Sequence, residues 1–224
     1  MNFDAVARHF QWMEYFGLGK EMERCRFEFL SRASSSREIL LAGEGDGRFL
    51  HRLLSINSAG RVDCLDSSAQ MLCQARKRLE KSGGDSARVY FRHCDLRTTA
   101  LENQRYDLIA THFFLDCFGS PSLAAVVKNL SQSLRPGGIW LISDFQVPDA
   151  KAPRLRASIW LRLLYGFFAL AASIEARRLE DPSPLLKAEG FQLVGRRERQ
   201  WKLLKSECWA RTGQPTVSAL EASR

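Results

Sequence analysis

The stretch 39–50, ILLAGEGDGRFL, limits the possible folds more than any other part of the chain. An apolar run is cut by Gly43, Gly45 and Gly47, and apolar residues resume at helical spacing as Phe49, Leu50, Leu53 and Leu54. This pattern predicts a buried strand, a tight turn and an amphipathic helix. Glycines in such a turn permit positive φ and let a ligand lie against bare backbone. In an open α/β sheet the turn stands on the rim of the ligand crevice. A strand–helix turn with no ligand uses the same residues, so the turn alone assigns no function.

The rhythm repeats downstream. RVDCLD (61–66), RVYFRHCD (88–95), YDLIATHFF (106–114) and IWLISDF (139–145) read as strands. Between them, Met71, Leu72, Ala75 and Leu79 mark a helix capped by Ser67 or Ser68. Ser120-Pro121 reads as the N-cap and first residue of another, with Leu123, Val126, Val127, Leu130 and Leu134 inward and RPGG ending it. Residues 4–33 read as helical, with Met22, Cys25, Phe29 and Ala33 on one face, and SRASSS as a polar break. Strands alternating with helices predict an α/β fold, a doubly wound and mostly parallel sheet. After Phe145 a proline-containing loop leads to greasy helices around 155–180. A helix from Ser183-Pro184 to Gly190 follows, and FQLVGRRERQ with KLLKSECWAR forms an antiparallel hairpin.

The expected organisation is one domain over 1–211. Residues 1–34 form a helical cover, 35–145 the ligand-binding core, 146–182 a second helical cover, and 183–211 the last helix and hairpin. Residues 212–224 read as a mobile tail.

Composition narrows the partners. The 33 Lys and Arg against 25 Asp and Glu leave a net charge of +8, but the excess is scattered, so it reads as solvated surface and no nucleic-acid partner is expected. Six cysteines form no C-x-x-C pair, which favours buried thiols in a reducing cytoplasm over a disulfide frame or a zinc site. The N-terminus lacks a signal-peptide hydrophobic region. Residues 159–174 are shorter than the roughly 20 a spanning helix needs, and Arg162 interrupts them. That greasy segment reads as a buried helix or a lid over a greasy pocket, with a membrane-contacting surface or the face of a homodimer as alternatives.

The spacing Gly43-Glu44-Gly45-Asp46-Gly47 brings the third glycine one residue earlier than the dinucleotide fingerprint G-x-G-x-x-G. Glu44 and Asp46 would also repel a pyrophosphate. They suit a cationic ligand without phosphate, and S-adenosyl-L-methionine is one. Asp66 ends the second strand about 20 residues on, where an acid accepts both ribose hydroxyls. Asp95 ends the third, where a carboxylate accepts from an adenine amino group.

With those residues in place, the chain resembles the class I S-adenosylmethionine-dependent methyltransferases over about residues 35–210. LLAGEGDG, VDCLDSSAQML, FRHCDL, YDLIATHFF and LRPGGIWLISDF carry the resemblance, in the family's order and spacing. It implies a Rossmann-like, seven-stranded sheet ending in an antiparallel hairpin. It also implies S-adenosyl-L-methionine as cofactor, S-adenosyl-L-homocysteine as product, and no metal. By position, Gly43, Glu44 and Gly45 would line the methionine part. Asp66 would hold ribose, Ser67 and Met71 would flank adenosine, and Asp95 and Leu96 would frame adenine. Thr111, His112 and Phe113 would lie beneath the sulfonium. The family often has an acid where this chain has Leu41, and Glu44 or Asp46 is read as supplying that charge.

Thr111-His112-Phe113-Phe114 replaces the polar-Pro-Pro-aromatic tetrapeptide of adenine- and amide-directed enzymes. A small apolar or aromatic acceptor is therefore expected, methylated on O, C or N. Three residues are candidates for catalysis, each with a plainer alternative. His112 is a general base or a packed ring; Asp116 orients the acceptor or caps a helix; Asp144 meets substrate or caps a loop. Trp12, Tyr15 and Phe16, with Tyr165, are the expected acceptor-binding residues, in aromatic segments suited to a flat ligand. A nicotinamide-dependent oxidoreductase and a non-catalytic S-adenosylmethionine-binding module are the competing readings.

Overall fold

The computed structural model describes residues 19–148 and 179–212. Trp12, Tyr15, Phe16, Tyr165 and nearly all of the expected second cover lie outside the described residues, as do 213–224.

Seven strands form one sheet in the order β3-β2-β1-β4-β5-β7-β6. They are β1 (Glu38–Ala42), β2 (Arg61–Asp66), β3 (Val89–His93), β4 (Tyr106–His112), β5 (Leu134–Phe145), β6 (Phe191–Arg199) and β7 (Leu204–Arg211). The first five pair in parallel, and β7 runs antiparallel to both β5 and β6. The expected doubly wound sheet with its final hairpin is therefore present. Strand order reverses between β1 and β4, so a crevice opens beyond their carboxyl ends.

The helices are α1 (Gly19–Phe27), α2 (Arg48–Ile56), α3 (Ala69–Lys81), α4 (Ser120–Ser133) and α5 (Ser183–Ala188). Successive strand residues face opposite sides, which splits the core in two. Leu41, Leu108 and Leu141 meet Phe49, Leu50 and Leu53 of α2 on one face. Ile109, Trp140 and Trp209 meet Val126, Val127 and Leu130 of α4 on the other. The three inward α2 side chains are at most 1% exposed, and burial of each contributes roughly 1.5–3 kcal/mol. Among the described residues no helix is long and apolar enough to cross a membrane.

Ser68 is the N-cap of α3, accepting from the Met71 N–H at 3.1 Å, which decides between the two expected serines. Two expectations shift. Helix α4 takes Gly119 as N-cap, so Ser120 and Pro121 are already helical. RPGG belongs to β5: Tyr106 pairs with Leu134 and Leu108 with Ile139, so 135–138 bulge out of the ladder.

Candidate active site

The glycine turn leaves β1 as a continuation of the sheet, with the Gly43 N–H donating to the Leu65 carbonyl at 2.8 Å. Gly43 has φ +67°, and a Cβ there would stand 2.1 Å from Cδ2 of Phe114. The ring of Phe114, just past β4, thus lies directly on the turn. Gly45 faces open space, with no atom within 4 Å of where its Cβ would stand.

Glu44 has a role that the linear sequence did not disclose. Its Oε1 accepts from the Leu50 N–H at 2.9 Å, in the first turn of α2. Gly47, the N-cap, has no side chain to do this. The acid expected to face a cationic ligand is instead turned toward a helix N-terminus. Burial pushes Glu44 from 4.5 up to about 8, against the Leu50 N–H and Arg26, which pull it down. The folded protein therefore keeps a proton that the unfolded chain releases above its ordinary value. The resulting stabilisation is complete below about pH 4.5 and is lost as pH rises through about 8. Glu44→Gln abolishes this titration, so denaturant midpoints of variant relative to wild type should rise across that window. A difference independent of pH would contradict the assignment. Asp46 is also engaged, by Arg48 at 3.0 Å and Arg78 of α3 at 2.7 Å.

Asp66 joins the turn to the second strand end. Its Oδ2 accepts from Gly45 N–H at 3.1 Å and its Oδ1 from Ser68 N–H at 2.9 Å. Burial raises its carboxyl and these N–H donors lower it, the first effect being larger. The Ser67 N–H acts on it as well, and of the roughly four acceptor sites of a carboxylate this leaves capacity for a hydroxyl donor. Ser67 stands beside it, its carbonyl 2.9 Å from His93 Nε2, and Met71 is buried in the first turn of α3.

Asp95 departs from expectation. Arg97 Nε and Nη2 grip both its oxygens at 2.6–3.0 Å, and the Arg97 N–H closes the turn. Arg97 holds the carboxyl below its ordinary range. An adenine amino group would have to share these oxygens. Leu96 is buried in the core beside α4.

Thr111, expected beneath the sulfonium, is fully buried and its Oγ1 accepts from Trp140 Nε1 at 3.0 Å. Its side chain serves the core, because residue parity turns it toward α4. His112 faces the other side and packs on Phe49, ring centroids 4.4 Å apart. Among the described residues neither ring nitrogen has a hydrogen-bond partner. Burial, then Arg26, holds its pKa well below the usual histidine range. That environment opposes the protonation a general base must undergo, so the structure favours the packed-ring alternative. Phe113 is buried, with φ +55°, against Phe145 at 5.3 Å and the Arg26 guanidinium at 5.7 Å.

Asp116 and Asp144 come together. The Phe114 N–H donates to Asp144 Oδ1 at 3.2 Å, while Oδ2 has no partner among the described residues. Burial raises both carboxyls, and the charge of Asp116 raises Asp144 further. Burial raises the Cys117 thiol, and the charges of Asp116, Asp144 and Asp66 raise it further.

Sequence reading missed Arg26, Lys205 and Glu207 as neighbours of these strand ends. Lys205 and Glu207 alternate on β7, both nearly inaccessible, which is a polar inward face that KLLKSECWAR does show in its period. Arg26 is placed only by the docking of α1 and has no such signal. Among the described residues no group of three or more His, Cys, Asp or Glu is arranged to hold a metal.

Residues 39–138 match the family described as a methyltransferase domain. N-terminal Xaa-Pro-Lys N-methyltransferase 1 of Ailuropoda melanoleuca is 34% identical over 102 residues, 46% of this chain and 44% of that protein. The match thus spans less than half of that relative's length. The solved N-methyltransferase NodS from Bradyrhizobium japonicum WM9, in complex with S-adenosyl-L-homocysteine, superposes with a TM-score of 0.61 at 15% identity, covering 85% of this chain and 87% of that one. The 1,6-didemethyltoxoflavin-N1-methyltransferase of Burkholderia thailandensis, with 1,6-didemethyltoxoflavin and S-adenosylhomocysteine bound, gives 0.63 at 17% identity, covering 93% and 88%. The chain thus has the fold of the class I S-adenosylmethionine-dependent methyltransferases, and its residues 39–138 are similar to a methyltransferase domain.

Proposed function

We propose that the protein transfers a methyl group from S-adenosyl-L-methionine to a small acceptor held over the carboxyl ends of β4 and β5. The observation that carries this reading is the Glu44 carboxyl seated on the N-terminus of α2. A dinucleotide enzyme keeps those N–H groups for pyrophosphate. Here an acid fills the anion site, so the turn suits a ligand without phosphate.

The residues present fit that cofactor. Gly45 offers a bare backbone surface, and the half-buried Asp66 keeps acceptor capacity for ribose. Gly43 and Gly45 would line the amino-acid part, with Ser67 and Met71 beside adenosine and Phe113 and Phe114 toward the acceptor. Once bound, the cofactor supplies a methyl group already activated by its sulfonium. The protein's share is then positioning and exclusion of water, to which Phe113, Phe114, Phe118 and Phe145 contribute apolar walls. Transfer to nitrogen is favoured over oxygen or carbon, because the curated relative and both structural neighbours are named N-methyltransferases.

Turnover of methyl-labelled S-adenosyl-L-methionine over a panel of small amines, phenols and carbon acids tests the proposal. Label should appear in at least one acceptor. Cofactor binding with no transfer to any would mean a non-catalytic binding module.

A further inference from the structure

We propose, building on the methyl-transfer reading, that the acceptor is an amine, bound as its ammonium ion by the Asp116–Asp144 carboxyl pair, which also takes its proton. The pair lies at the carboxyl ends of β4 and β5, and both residues are at least nine-tenths buried. Asp144 aims an oxygen with no protein partner among the described residues into this site. Burying such an atom costs free energy unless something binds it.

The surroundings specify a cation. Asp144 accepts from the Phe114 N–H, and the Phe114 ring covers Gly43, so the pair is one residue away from the cofactor turn. Phe114 and Phe118 meet edge to face at 5.0 Å, offering ring faces that attract an ammonium group. The other charged groups acting on Asp144 are Lys205 and Glu207 of β7. Lys205 is held by Asp181 at 3.1 Å and by Glu207 at 3.5 Å. Glu207 also meets Arg196 at 3.3 Å and accepts from Trp209 Nε1. Those charges are matched among themselves. Burial shifts both carboxyls upward and the charge of Asp116 raises Asp144 further, so the pair is disposed to take up a proton.

The chemistry balances. The ammonium gives one N–H proton to the pair. The freed lone pair forms the N–C bond to the methyl group as the C–S bond breaks, and that electron pair leaves with sulfur. The products are a methylated ammonium ion and the thioether.

Binding is measured by calorimetry on the full chain, with and without S-adenosyl-L-homocysteine. The probes are phenethylamine, tryptamine and an Ala-Pro-Lys peptide, against 4-methylphenol and benzoate. At least one amine should bind wild type, more tightly than either oxygen probe. Asp144→Asn and Asp116→Asn should each weaken amine binding by about 10- to 100-fold, leaving 4-methylphenol and S-adenosyl-L-homocysteine within about threefold. Wild-type-like amine affinity in both variants, tighter binding of an oxygen probe, or binding of no amine overturns the proposal. Loss of S-adenosyl-L-homocysteine binding in wild type overturns the methyl-transfer reading instead.

Discussion

Gly47→Val should lower the thermal midpoint by about 6–12 °C, the equivalent of about 3 kcal/mol in a domain of this size. Gly47 is the N-cap of α2 with φ +83°, a conformation that costs a β-branched residue most. A Cβ there would also stand 2.8 Å from Ala75 Cα and 2.9 Å from Ala75 Cβ. The obstacle is α3 backbone, which cannot rotate away as a flexible side chain could. Relief requires α2 and α3 to separate, exposing Phe49, Leu53 and Leu79. Circular dichroism melts of the two proteins test this. An unchanged midpoint would mean that the helices do not close on the turn as described.

Asp66→Ala should weaken S-adenosyl-L-homocysteine binding by about 100-fold. Two effects combine. On the proposed reading the ribose would lose the acceptor for its hydroxyls, and the Gly45 and Ser68 N–H groups lose the oxygens that fix the turn against the start of α3. Each unmade hydrogen bond costs roughly 1–3 kcal/mol, and 1.4 kcal/mol is tenfold in affinity. Asp66→Asn keeps one acceptor oxygen and should lose less. Equal affinity in wild type and Asp66→Ala, measured by calorimetry, would remove Asp66 from the site.

Much of the framework was legible because it depends on local periodicity. The alternation of apolar runs and amphipathic helices yields the sheet, and Ser68, three residues before Met71, signals its own cap. The glycine turn was legible for the same reason, since conformational freedom and position suffice to place it on the crevice rim. What was hidden depends on which face a side chain takes after packing. Thr111 and His112 are neighbours on one strand, yet one meets Trp140 and the other Phe49. Glu44 was read as a charge for the ligand because nothing in the linear order shows that α2 begins at a residue unable to cap itself. Asp95 was assigned to adenine, but Arg97 two residues on closes a local turn that competes for the same oxygens. The bulge at 135–138 was missed because Pro and Gly signal a break without showing that pairing starts before it. Arg26 sits on a helix that touches β7 residues distant in sequence: the preceding Cys25 thiol donates to the carbonyl of Lys205, 180 positions on. No window of the sequence holds that contact.

Calorimetric titration of the unmodified chain with S-adenosyl-L-homocysteine, and separately with NADH, tests the central claim most directly. Glu44 on the α2 N-terminus and Asp66 across the turn require one molecule of the phosphate-free nucleoside to bind per chain and NADH to fail. Binding of NADH with none of S-adenosyl-L-homocysteine would contradict it.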